Sequence, residues 1–187
     1  MKEFRVDLHL HTCLSPCGSL EMSPQRIVET ALERGLDAIA VTDHNSTLQC
    51  PEIQALGEER GLMVFAGAEV TTREEAHCVA LFADDRTRAA FQMYLDDYRP
   101  SFSLISQLGF IDPSLPLDAI EFKDVARYER LLAAHAYLKH YTVYSASDAH
   151  DPGQIGTKYS LLRADLLDFE HLAMAFRKEN GHTIVTA

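Results

Sequence analysis

The sequence predicts an α/β fold organised around a parallel sheet that is strongly curved or closed into a barrel. Short apolar runs alternate with helix-patterned segments along the chain, and several runs are apolar on both faces, as buried parallel strands are. Polar residues that can do chemistry recur just past the ends of those runs. The first run, residues 4–10 (FRVDLHL), half-alternates and ends in a polar loop. Ser23-Pro24 then offers an N-cap and a first-turn proline. Ile27, Val28, Ala31 and Leu32 recur at helical spacing, and Gly35 stands where a left-handed C-terminal cap belongs. Residues 37–42 (DAIAVT) are too short for a helix and read as a buried strand, completing a βαβ unit.

The cycle repeats. Pro51 opens a helix through Ile53 and Leu56 to Gly61, followed by strands at 62–70 (LMVFAGAEV) and 77–82 (HCVALF). Residues 86–96 read as helix, Ser101 caps a short helix to Leu108, and 118–122 (DAIEF) is a strand. Residues 127–140 are helical and 142–146 (TVYSA) extended. A short strand at 159–163, a helix at 168–180 and a last strand at 182–186 (HTIVT) finish the chain. Six or seven strands alternating with helices, with no repeat, linker or low-complexity stretch, make residues 1–187 one expected domain.

Composition narrows the function. The 187 residues are 47% apolar, enough for a sizeable core in a chain that buries roughly 70% of its unfolded surface. Lys and Arg number 17 against 28 Asp and Glu, a net charge of −11. A nonspecific binder of long nucleic acid needs a basic face, so that class is set aside. No apolar run approaches the roughly 20 residues that span a bilayer, and no apolar signal segment follows Met1 to Arg5. The expectation is a cytoplasmic protein without a membrane partner. Cys13, Cys17, Cys50 and Cys78 form no CxxC pair and are expected as free thiols or metal ligands.

The chemistry collects at the carboxyl ends of the proposed strands: His9 and His11, Asp43 and His44, Glu69, then Asp148 and His150. That rim is where catalytic groups gather in α/β barrels. His9 and His11, at i and i+2 of a strand, point to one face and can share a metal. Taken alone, the pair also fits ordinary surface or core histidines, and Asp43 also fits a turn cap with His44 packed locally. Glu69 interrupts an apolar strand, where a lone buried carboxylate is costly unless paired or metal-bound. Asp148 and His150 repeat the i, i+2 logic, and with Ser147 they lie too close in sequence to form a Ser-His-Asp triad by themselves. Carboxylates and imidazoles with one thiolate suit zinc, manganese or iron, and a multi-metal hydrolytic site is the economical reading. Such ions would make the site locally cationic in an acidic chain.

The motifs DLHLHT (7–12), VTDHN (41–45), GAE (67–69), EAHCVALF (75–82) and SASDAH (145–150) with Ile155-Gly156 resemble, in this order, the PHP family, named for polymerase and histidinol phosphatase. The resemblance implies a distorted (β/α)7 TIM-like barrel, up to three metals and phosphoesterase activity. It implies one ion among His9, His11, Glu69 and Asp148, with Glu69 bridging to a second ion that His77 also binds, and a third at His44 and His150. Cys17 stands where relatives often carry a further ligand; it either completes the third site or is a small packing residue. Cys13 and Cys78 neighbour ligands and read as packing. One family histidine is absent before RPSF (99–102), where this chain has MYLDDY (93–98), and the segment between residues 83 and 100 is short for the family. Asp96 lies nearest that position, as a carboxylate substitute or a solvated helix-end group. Arg99 resembles a position near the site and either clamps a phosphate or lies on the surface. Glu121 reads as structural, and His135, His140, His171 and His182 as structural or exposed.

These readings lead to an expected metal-dependent phosphoesterase holding two or three divalent ions (zinc, manganese or iron) and acting on a small phosphorylated substrate. A metal-bound hydroxide would attack phosphorus in line, Glu69 and Asp148 would hold the metals, and Asp148 or a site histidine would take a proton. Two rivals remain: a noncatalytic module that binds metal or phosphate, and a nuclease for short single-stranded oligonucleotides. No motif encodes an oligomeric state.

Overall fold

The computed structural model describes residues 1–71, 77–97, 117–122 and 125–187. The first apolar run is β1 (Lys2–Leu10). Ser23 caps α1 (Pro24–Glu33), its side chain accepting from the Arg26 amide, and Gly35 follows the C-cap at φ 67°, where a side chain would be strained. β2 (Ala38–Val41) is buried at every position, as its two-faced apolarity predicts. α2 (Cys50–Arg60) stops at Gly61, which is left-handed at φ 79°, and β3 (Met63–Thr71) follows. Next come β4 (His77–Phe82), α3 (Asp85–Asp97), β5 (Ala119–Glu121) and α4 (Val125–Ala134). The helix expected over 127–140 is interrupted at His135, whose backbone (φ −134°, ψ 79°) is not helical, and resumes as a 3-10 turn over Ala136–His140. β6 (Thr142–Tyr144), β7 (Ser160–Ala164), α5 (Phe169–Arg177) and β8 (Thr183–Thr186) complete the order. The helix expected from Ser101 to Leu108 lies outside the described residues, and none of the described helices is long and apolar enough to cross a membrane.

The α/β class holds, but the sheet is mixed rather than parallel throughout. Its order is β4-β3-β2-β1-β7-β8, with β5 and β6 paired in a second ladder. β1, β2 and β3 run parallel, as their intervening helices require, while β4 pairs antiparallel to β3, β7 to β1 and β8 to β7. The return of β4 has a simple cause: residues 72–76 are too few for a parallel crossover, which takes a dozen or more. Beyond β6 the chain reaches β1, where Leu10 and Ala149 form a parallel bridge. The result among the described residues is a curled sheet resembling half a barrel; seven parallel strands in a closed ring are not formed there.

Side-chain parity sorts the core into two layers. Ile39, Val41, Val64 and Ala66 pack with Ile27, Val28, Ala31 and Ile53 of the outer helices. Ala38, Ala40 and Phe65 face inward and pack with Leu162, Leu172, Tyr144 and Ile184. By the same alternation Glu69, two pleats beyond Phe65, faces the inner side at the end of β3. β1 changes phase: Val6 and Leu8 belong to the inner layer, yet Leu10 belongs to the outer one. The pairing register with β2 shifts between Asp7 and Leu10. That irregularity re-aims the strand end and turns His9 and His11 inward, toward Glu69.

Candidate metal centre

Backbone contacts between strand ends assemble the site before any side chain acts. The Asn45 amide donates to the Glu69 carbonyl and the Glu69 amide to the Asp43 carbonyl, at 2.9 and 3.0 Å, which zips the loop carrying His44 onto the end of β3. The His11 amide donates to the Ala149 carbonyl at 2.9 Å and sets Asp148 and His150 beside β1. Two buried carboxylates brace these loops. Asp43 accepts from the amide and the hydroxyl of Thr12, tying the first loop to the second. Asp7 accepts from the amides of Ser147 and Gly156 at 2.9 Å each. Burial pushes the Asp7 carboxyl up to about 6 against the lowering effect of those donors, and burial raises Asp43 as well. Asn45 and Asp148 sit at φ 51° and 50°, a left-handed conformation that Asn and Asp tolerate and that here aims the loops at the site.

Glu69 is the centre, with a side chain 4% exposed. Its Oε2 lies 3.4 Å from His9 Nε2, 3.2 Å from His11 Nε2 and 3.2 Å from His44 Nδ1, and its Oε1 lies 2.6 Å from His77 Nδ1. Asp148 Oδ1 is 3.3 Å from His9 Nε2 and 3.0 Å from His11 Nε2. Three groups of donors fall within 4.8 Å of one another: His9, His11, Glu69 and Asp148; His44, Glu69 and His77; and His11, Cys17, His44 and His150. All eight residues expected as ligands thus converge. Glu69 is the only residue that the first two groups share.

The donor set fits divalent ions. His9 Nε2, His44 Nδ1 and Glu69 Oε2 are buried and make no hydrogen bond, although they face one another across the cluster. Buried polar atoms ordinarily have partners, and an ion at their meeting point supplies one. Imidazole orientation agrees. His9 Nδ1 is tied to Glu121 Oε2 at 2.7 Å, His11 Nδ1 to Ser15 Oγ at 3.1 Å and His150 Nδ1 to the Asp148 carbonyl at 2.7 Å. Metal-binding histidines commonly donate their second ring nitrogen to a carboxylate or carbonyl in this way.

The electrostatics centre on the same carboxylate. Burial opposes ionisation of Glu69, but the imidazoles of His11, His9 and His44 beside it outweigh that cost and hold its carboxyl far below the usual range. Burial likewise pulls His9 down, yet Glu121 and Glu69 together lift it to about 10. Burial lowers His44, which has Glu69 as its one opposing carboxylate.

Glu121 is the residue whose role the sequence reading missed. It sits at the end of β5, bonded to His9 Nδ1 and accepting from the Tyr144 hydroxyl at 3.3 Å. The signal available was a carboxylate ending an apolar strand, as Glu69 does. Glu121→Ala is expected to weaken metal binding by about 10- to 100-fold, the usual cost of losing such a support, measured by calorimetric titration. Ser15 was also unforeseen; it lies between His11, Cys17 and the His44 amide.

Other expectations resolve outside the cluster. Asp96 is exposed on α3, accepts from Gln92 Nε2 and joins none of the ligand groups, so it is a helix-end carboxylate. Arg99 lies outside the described residues. Cys13 and Cys78 are half-buried free thiols outside the groups. His171 pairs with Asp168 at the start of α5, and His182 is buried with its Nδ1 on the Glu179 carbonyl.

Residues 7–180 match the family described as PHP domain. Among curated proteins, DNA polymerase III PolC-type from Oceanobacillus iheyensis is 29% identical over 143 residues, covering 74% of this chain and 10% of the polymerase. Among solved structures, the lesion-specific endonuclease PfuEndoQ from Pyrococcus furiosus superposes with a TM-score of 0.75 at 18% identity, over 98% of this chain and 58% of that one. An Endonuclease Q complex with a 27-mer duplex bearing an abasic lesion at its active site gives 0.76 at 17% identity, over 97% and 58%. The chain therefore spans about a tenth of the polymerase and under two thirds of the endonuclease.

Proposed function

The chain belongs to the PHP domain family, and on that premise we propose that it is a metal-dependent hydrolase of phosphate esters, with a small phosphorylated molecule as substrate. One observation carries the reading: His9 Nε2 and His44 Nδ1, both buried and without a hydrogen bond, face the likewise unbonded Glu69 Oε2 at 3.4 and 3.2 Å. In this reading His9, His11, Glu69 and Asp148 hold one ion, Glu69 and His77 a second, and His44, His150 and Cys17 a third. Bound there, divalent ions supply positive charge for the phosphate and make water a better nucleophile at neutral pH. That supply matters in a chain of net charge −11.

The protein's own groups divide the remaining work. Glu69, almost wholly buried, serves as a ligand alone. The Asp148 side chain is 21% exposed against 7% for His9 and 0% for His11, so it is the carboxylate placed to accept a proton from entering water. Glu121, Ser15 and the Asp148 carbonyl hold the Nδ1 hydrogens of His9, His11 and His150, which keeps each Nε2 directed inward. Asp7 and Asp43 keep the loops in register.

The test is an assay of hydrolysis with zinc, manganese or iron, read as phosphate from a mononucleotide, as p-nitrophenol from bis-p-nitrophenyl phosphate, and as strand scission of a short single strand and an abasic duplex. Metal-dependent release from the mononucleotide, lost in Asp148→Ala protein of unchanged circular dichroism, is the expected result. Cleavage of the oligonucleotides alone would move the assignment to a nuclease. No release from any ester by folded, metal-loaded protein would overturn the enzymatic reading and leave a binding module.

A further inference from the structure

A second pair of facing imidazoles lies at the other end of the sheet. β7 runs antiparallel to β1 with Ala164 opposite Lys2, so the end of β7 stands away from His9 and His11. Three elements meet there: Asp165 follows β7, His171 lies in the first turn of α5, and His182 directly precedes β8. The His171 and His182 ring centroids are 5.1 Å apart, with their planes at 57°. His9 and His11, which both adjoin Asp148 Oδ1 and fall in one ligand group, stand at 5.2 Å and 51°. The two pairs have almost the same disposition.

Each ring of the distant pair is also fixed as the rings of the metal centre are. His171 Nδ1 donates to Asp168 Oδ1 at 2.7 Å, as His9 Nδ1 does to Glu121. His182 Nδ1 donates to the Glu179 carbonyl at 3.1 Å, as His150 Nδ1 does to the Asp148 carbonyl. A carbonyl only accepts, so Nδ1 of His182 carries a hydrogen and Nε2 of the neutral ring holds the lone pair. That Nε2 belongs to a side chain 4% exposed and makes no hydrogen bond. Buried polar atoms ordinarily have partners. What it faces is Asp165 Oδ2 at 3.8 Å, a second lone-pair atom, and the gap between them suits a cation.

We propose that His171 Nε2, His182 Nε2 and the Asp165 carboxylate form a zinc site separate from the metal centre, which clips α5 and the start of β8 to the end of β7. Two imidazoles and a carboxylate suit zinc, and three protein ligands leave a fourth position for water. Asp168 and the Glu179 carbonyl supply the hydrogen bonds that orient metal-binding rings. Asp165 has to close in on the ion, because these donors are not gathered within 4.8 Å of one another as those of the metal centre are, and its Oδ1 pairs with the Met1 amino group at 3.2 Å. Its side chain is 59% exposed and can turn. The site is therefore expected to give up its ion to a chelator before the metal centre does, and it exists whether or not that centre hydrolyses esters.

Tag-free, metal-stripped protein labelled with nitrogen-15 is to be titrated with zinc chloride while its imidazole nitrogens are followed by NMR, with bound zinc counted by equilibrium dialysis and elemental analysis. The expected result is that the Nε2 signals of His171 and His182 move together, after those of the metal centre. His171→Gln and Asp165→Asn should each bind one zinc fewer per chain at saturation, with the signals of the metal centre changing as in wild type. A His182 Nε2 signal that saturating zinc leaves in place in the wild-type protein would overturn the site, and this measurement needs no variant to fold. An unchanged zinc count in both variants would overturn it as well.

Discussion

Glu69→Gln is expected to remove metal-dependent hydrolysis, with kcat falling on the order of 10²- to 10³-fold, the scale on which loss of one preorganised electrostatic group acts. Four imidazoles face this carboxylate at 2.6 to 3.4 Å, and two of the three ligand groups contain it. The amide has nearly the same shape but no charge, and its NH2 would confront ring nitrogens that must offer lone pairs to an ion. Metal content per chain should therefore fall together with activity. Because the Glu69 carboxyl is held far below the usual range, it stays ionised at any pH at which the enzyme would be assayed. Activity within a few fold of wild type, in protein of normal fold and metal content, would remove Glu69 from the centre of the mechanism.

Stripping the metal with a chelator is expected to lower Tm steeply. Ions that bind only the folded chain stabilise it by about 4 kcal/mol at a thousandfold excess over Kd. For a domain of this size that corresponds to roughly 8 to 16 °C, read by calorimetry with and without chelator. The effect has a pH sign. Burial pulls His9 down, but Glu121 and Glu69 hold its proton up to about 10. An ion at His9 must displace that proton, so uptake releases protons and apparent affinity rises with pH over the range below 10. A metal-dependent Tm shift of a degree or less, or one that shrinks as pH rises, would contradict this account.

Much of the site was legible because it is written locally. An i, i+2 histidine pair after an apolar run, a carboxylate interrupting a buried strand, and Asp148 with His150 after YSA each carry their own physical signal, and parallel strands bring such ends to one rim. Glu121 was legible only as a strand-end carboxylate, because its partner His9 is 112 residues away in sequence. Asp7 carries no local signal of its task, which is to hold the amides of Ser147 and Gly156, 140 and 149 residues on. Of the two readings open for Asp96, the solvated helix-end carboxylate is the one the structure shows, because α3 leaves its side chain exposed.

By itself the sequence determined the α/β class, the placement of nearly every strand and helix among the described residues, the family, and the eight residues that converge on the cluster. Those follow from periodicity, caps and residue chemistry, which act within a few positions along the chain. Only the tertiary structure decided that β4 pairs antiparallel to β3, β7 to β1 and β8 to β7, that a register shift in β1 turns His9 and His11 inward, and which ring nitrogen each histidine presents. Strand direction, register and tautomer are set by partners dozens to more than a hundred residues apart, and no local pattern records which partner a strand end or an imidazole will meet.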